Sequence, residues 1–276
     1  MRVFLLGLAS LVVVTPAATT ASAGSARDLI VFVRQDPRTH GLNDGVDLWL
    51  VGIGGGARRL VGGKGWDESP AWSPEGKRIA FTKSLFEPAE PDVALKSADV
   101  WTVNVGGRSR RNLTREDSAS SPAWSPDGRR LAFARGDGVF LVRRDGSGRV
   151  RIALADDPGD PAWSPDGRRV AFAVPGEVHV VDANGKRQRL LARGAGSGSS
   201  VAWSPDGRLI AFTGMRRGVT GAFLVNAGEV VPTCLPEAIW NRSGRRTVAR
   251  SPSSGRARDA RPASSSSLPA AVVRGA

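Results

Sequence analysis

The stretch from Ser121 to Phe133 reads SPAWSPDGRRLAF, and close copies of it run from Ser69 to Phe81, Asp160 to Phe172 and Ser200 to Phe212. The tryptophans of the four copies, Trp72, Trp124, Trp163 and Trp203, stand 52, 39 and 40 residues apart. A period near 40 made of short alternating segments and turn residues specifies an array of similar small sheets, each needing its neighbour to bury its apolar face. It excludes a fold organised around one globular core.

One copy is enough to assign strands. Pro122-Ala123-Trp124 reads as a short inner strand, and Ser125-Pro126-Asp127-Gly128 as a tight turn. There, proline presets φ, aspartate bonds nearby backbone and glycine accepts positive φ. Arg129 to Arg135 alternates as a second strand with Leu131 and Phe133 on one face; Val139 to Arg143 and Arg149 to Leu154 follow as third and fourth, separated by Gly136-Asp137-Gly138 and Asp145-Gly146. Third strands recur at Asp47–Val51, Asp99–Val103, Glu177–Val181 and Ala222–Val225, and fourth strands at Arg58–Val61, Arg110–Thr114 and Gln188–Ala192. Asp28 to Arg34 reads as a second strand, so the first unit lacks an inner strand of its own. The predicted fold is all-β: a β-propeller of four-stranded antiparallel blades, five recognisable, plus a degenerate sixth repeat. The Trp and Phe of each copy are expected to pack between neighbouring blades.

These motifs resemble the TolB-type, WD-like β-propeller repeat, whose signature is the same tryptophan followed by Ser-Pro-Asp-Gly and an Ile/Leu-Ala-Phe strand. The resemblance covers residues 27 to about 231. It implies six blades preceded by a small α/β domain. Here the repeats follow directly on residues 1–23, so the chain is not read as a full TolB.

Residues 1–23 have the form of a secretory signal peptide: Arg2, an apolar run from Phe4 to Val14, and the small-x-small site Ala21-Ser22-Ala23. The mature chain is expected to be periplasmic, in the cell envelope or extracellular, with no transmembrane helix. Residues 24–232 form the propeller repeats, 233–250 a degenerate repeat around Trp240, and 251–276 a disordered tail rich in Arg, Ser, Pro and Ala. Two arrangements are open for the end of the array. A strand at Glu237 to Asn241 joins the Asp28–Arg34 strand and closes a five-bladed ring, or the array is a shortened six-bladed ring.

The net charge is +13, of which residues 233–276 carry +6 and Arg2 one more, leaving +6 on residues 24–232. Only five of the 39 basic residues are lysines, which reads as compositional bias and not as a nucleic-acid surface. Cys234 is the single cysteine, so neither an internal disulfide nor a cysteine metal site can form.

The sequence offers no catalytic, cofactor-binding or metal-binding set, and no cofactor is expected. The histidines, His40 in a loop and His179 in a third strand, are too few for a histidine metal cluster, and no G-x-S-x-G elbow is present. Gly54-Gly55-Gly56 and Gly62-Gly63 lack the Lys-Ser/Thr of a phosphate loop and read as strand turns, and the Asp-Gly pairs read as turn chemistry and not calcium sites. Asn112 and Asn241 head glycosylation sequons. The long interval between Trp72 and Trp124 places an acidic insertion at Lys83 to Ala98, read as a loop: either a binding loop or an insertion without function.

The resemblance implies an exported, non-catalytic monomer that binds an envelope or extracellular protein, a cell-wall polymer or a small ligand. A second reading is a relative of a propeller-containing hydrolase or peptidase lacking its catalytic domain, and a third is a truncated product without function.

Overall fold

The computed structural model describes residues 29–35, 45–52, 54–88, 93–115, 118–196, 198–216 and 219–228. They form eighteen strands in five antiparallel sheets. The first sheet holds β1 (Leu29–Gln35), β2 (Val46–Gly52) and β3 (Gly55–Val61). The second holds β4 (Trp66–Trp72), β5 (Arg78–Pro88), β6 (Val93–Asn104) and β7 (Arg111–Asn112). The third holds β8 (Ser120–Trp124), β9 (Arg130–Arg135), β10 (Gly138–Arg143) and β11 (Val150–Leu154). The fourth holds β12 (Ala162–Trp163), β13 (Arg169–Val174), β14 (Glu177–Asp182) and β15 (Arg189–Arg193). The fifth holds β16 (Val201–Trp203), β17 (Leu209–Arg216) and β18 (Val219–Asn226). Strands within each sheet are neighbours in chain order, the meander of a propeller blade.

The expected strands are present, including β1 as the first strand of a sheet with no inner partner among the described residues. The signal segment, the His40 loop, Cys234, the Trp240 repeat with its second sequon, and the tail all lie outside the described residues.

Four apolar clusters, each shared by two consecutive sheets, replace a single core. Their chemistry follows from alternation in the second strands, where successive side chains face opposite sides. In Leu131-Ala132-Phe133, Leu131 and Phe133 pack back on Ala80 and Val100 of the second sheet, while Ala132 turns forward to receive Trp163 and Phe172 of the fourth. Val170-Ala171-Phe172 repeats the division, with Ala171 facing Ile210 and Phe212. Large side chains on the rear of one blade thus fill space left by alanines on the front of the one before. Phe81, Phe133 and Phe172 are fully buried by this arrangement, each contributing roughly 1.5–3 kcal/mol.

The Ser-Pro-Asp-Gly turn is hydrogen-bonded throughout. In the third sheet the Gly128 N–H donates to the Ser125 carbonyl at 2.8 Å, and Gly128 adopts a φ of 66°. The Ser125 hydroxyl donates to Asp127 Oδ1 at 2.6 Å and accepts from the Arg130 N–H at 2.9 Å, and the Arg129 N–H donates to the same Asp127 oxygen at 3.0 Å. Ser164 and Asp166 reproduce the set in the fourth sheet, Ser204 and Asp206 in the fifth. The aspartates are therefore turn locks with their carboxylates occupied by protein donors.

Candidate functional site

The insertion at Lys83 to Ala98 is not a loop, as its composition suggested, but an extension of the β5–β6 hairpin. Pairing continues from Lys83↔Asp99 out to Pro88↔Val93, past a bulge between Leu85 and Phe86. The alternating Ser84-Leu85-Phe86 and Leu95-Lys96-Ser97 suit a two-stranded ribbon, and ladder bonds satisfy backbone groups that a loop would leave to water. The ribbon places Phe86 directly opposite Leu95 and Glu87 close enough to Lys96 for a 3.5 Å ion pair.

Trp66, at the start of β4, meets Phe86 edge-on with ring centroids 5.2 Å apart. Its indole lies over Gly45, where any Cβ would collide with the ring. Trp66 remains 36% exposed and Leu95 51%, which makes this end of the second sheet apolar and accessible.

Next to Trp66 in β4 come two acids, Asp67 and Glu68. Asp67 is fully buried and takes a hydrogen bond from the Lys83 ammonium at 3.1 Å through Oδ1, while Oδ2 has no partner. Burial pushes the Asp67 carboxyl above the ordinary carboxylate range, against the pull of Lys83; Asp47 adds to the rise. Glu68 is raised as well, by burial first and by Asp67 beside it second. Asp47 is held by Arg59 at 3.2 Å, and Asp99 by the Thr114 hydroxyl and the Asn112 amide at 3.0 and 3.1 Å.

Asp67 and Glu68 were missed in the sequence, although comparing the repeats with one another marks them. The other copies have Ala119, Pro158 and Gly198 in place of Asp67, and Ser120, Gly159 and Ser199 in place of Glu68. Charges at a position that is otherwise small and uncharged are the signal. The remaining candidates have structural surroundings. His179 stacks on Phe172 at 5.5 Å and contacts Glu177 at 2.9 Å, and Asn112 uses its amide within the Asp99 network. Gly54 lies in the turn before β3, and Gly62-Gly63 in the link to β4.

No group of three or more His, Cys, Asp or Glu among the described residues is placed to hold a metal ion. No helix among them is long and apolar enough to cross a membrane.

Residues 121–235 match the family described as the TolB beta propeller domain. The repeats within this segment are thus similar to those of TolB. Tol-Pal system protein TolB 1 of Novosphingobium aromaticivorans is 36% identical over 77 residues, which is 28% of this chain and 16% of that protein. Dipeptidyl-peptidase 5 of Porphyromonas gingivalis is 37% identical over 71 residues, 25% of this chain and 10% of that one. The matches thus span less than a fifth of these relatives' lengths. Among solved structures, TolB from Acinetobacter baumannii superposes with a TM-score of 0.55 at 16% identity, covering 73% of this chain and 52% of that one. The shared architecture is the TolB-type propeller.

Proposed function

We propose that this chain is an exported, non-catalytic binding scaffold that engages a protein partner through the end of the second sheet. The observation that carries the reading is the hairpin extension of β5 and β6, which puts Trp66, Phe86 and Leu95 at one accessible edge of a rigid blade. Rigid sheets bearing one projecting element are a common way to present a binding surface at low entropic cost. The match to a protein named for the Tol-Pal system supports an envelope or extracellular partner. Replacing Leu85 to Leu95 with a short Gly-Ser turn tests the site. Capture of envelope proteins by the full chain is expected to be lost while the melting profile stays cooperative; unchanged capture would remove the hairpin from consideration. Fractionation of the expressing cells tests export, with residence in the cytoplasm as the contrary result.

A second reading rests on the Dipeptidyl-peptidase 5 match and on the raised Asp67 and Glu68 carboxyls, since perturbed acids in a shared position mark catalytic sites as well as structural ones. Turnover of peptide, lactone or glycan substrates by the purified chain, abolished by Glu68→Gln, would favour it.

A further inference from the structure

The junction between the second and third sheets differs from the two that follow it. Between the third and fourth, the Arg130 guanidinium lies 4.9 Å over the Trp163 ring and the Trp163 indole N–H donates to the Ala123 carbonyl. Between the fourth and fifth, Arg169 lies 4.7 Å over Trp203, and Trp203 donates to Ala162. By repeat position Arg78 and Trp124 are the same pair at the earlier junction. Yet the Trp124 indole N–H is buried without a partner, and Arg78 forms no such stack. Arg78 instead lines a cleft of about 510 Å³ together with Ser109, Arg110, Arg111, Arg144 and Asp145.

The charge in this cleft is unbalanced. Four arginines face one carboxylate, and Asp145 already accepts from the Ser147 N–H at 2.9 Å and the Ser147 hydroxyl at 2.7 Å. Some arginines elsewhere have an acidic partner at hand: Arg59 has Asp47, Arg151 has Asp137 and Arg187 has Asp182. Among the described residues none of the four cleft arginines has an acidic partner within ion-pair distance, and the nearest link is a long 3.5 Å bond from Arg110 to the Gly62 carbonyl. Guanidinium groups gathered this way repel one another and present planar forks that match phosphate oxygens in pairs.

We infer that the cleft between the second and third sheets, lined by Arg78, Arg110, Arg111 and Arg144, is a binding site for phosphate groups, carried by a soluble polyphosphate or by a phosphodiester polymer. The cleft lies at the Arg78 end of β5 and the proposed partner-binding hairpin at its Pro88 end, so the two readings stand or fall separately.

Isothermal titration of the full chain with inorganic tripolyphosphate tests the site. The expected result is one site per chain, weakened about tenfold or more by Arg78→Gln combined with Arg111→Gln. The charge-matched control, Arg168→Gln with Arg208→Gln on neighbouring turns, should lose less than about threefold, the residue of general electrostatic attraction. Thermal melts of both variants verify that each is folded. Absence of binding, or equal losses in the two variants, would overturn the inference. A second arm separates the sources: tighter binding of poly(glycerol phosphate) at equal phosphate concentration assigns the polymer, and equal or weaker binding assigns the soluble anion.

Discussion

The indole N–H of Trp163 donates to the backbone carbonyl of Ala123 across 3.1 Å, tying the inner strand of one sheet to the inner strand of the sheet before it. The same ring is covered by Arg130 and buried among Ala132, Val139 and Phe172. One side chain therefore supplies apolar area, a directed bond and a cation–π contact at a single junction.

Two substitutions at Trp163 separate these contributions. Trp163→Ala is expected to cost about 3–5 kcal/mol by leaving a cavity. Trp163→Phe keeps most of the apolar volume and loses the donor, which should cost about 0.5–1.5 kcal/mol, the net contribution of one hydrogen bond. Urea denaturation of both proteins measures the difference, and equal losses would mean that the hydrogen bond contributes nothing.

The large-against-small packing of consecutive sheets predicts an asymmetry within Leu131-Ala132-Phe133. Ala132→Leu drives a branched side chain into the space held by Trp163 and Phe172 and should destabilise by about 1–3 kcal/mol. Arg129→Leu, three residues earlier on the exposed turn, should change stability by less than about 0.5 kcal/mol. Comparable effects at the two positions would contradict the assigned faces.

Gly167 adopts a φ of 68° in the Ser164-Pro165-Asp166-Gly167 turn. Gly167→Ala places a Cβ in the left-handed region and should cost about 1 kcal/mol, with no loss of cooperativity in the melt. An unchanged midpoint would show that the turn relaxes to another conformation.

Asp166 and Asp67 should give opposite pH dependences. The Ser164 hydroxyl holds the Asp166 carboxyl below its ordinary value. Its contribution is complete above the unfolded pKa of about 3.9 and is lost as pH falls through the lowered folded value. Asp67 is raised by burial, so its effect runs the other way: stability declines as pH rises from the unfolded value through the raised one. Denaturation from pH 2.5 to 7 should show Asp166→Asn flattening the acid limb and Asp67→Asn removing the decline at higher pH. Parallel profiles for the two variants would refute the assignment.

Repeats Trp124–Phe133, Trp163–Phe172 and Trp203–Phe212 announced strand, turn and strand because each signal is local. Alternation places Leu131 and Phe133 on one face, and Ser-Pro-Asp-Gly closes its own hydrogen bonds. The insertion at Lys83 to Ala98 reads as a loop in the sequence because two prolines and several acids weaken local strand propensity. What overrides that propensity is pairing between β5 and β6, a contact between chains of residues that no single window contains.

The sequence by itself determined the unit: four antiparallel strands, the turn that joins the first two, and the tryptophan and phenylalanine that each unit offers its neighbour. Only the tertiary structure decided how unequal units meet. It placed Asp67 against Lys83 in a fully buried position, left the Trp124 indole N–H without a partner, and turned Arg78 into a cleft. These outcomes depend on distances between side chains from different strands or sheets. A local repeat encodes the shape of each blade, but the charge and space at a junction are sums over two blades, and those exist only once the blades are stacked.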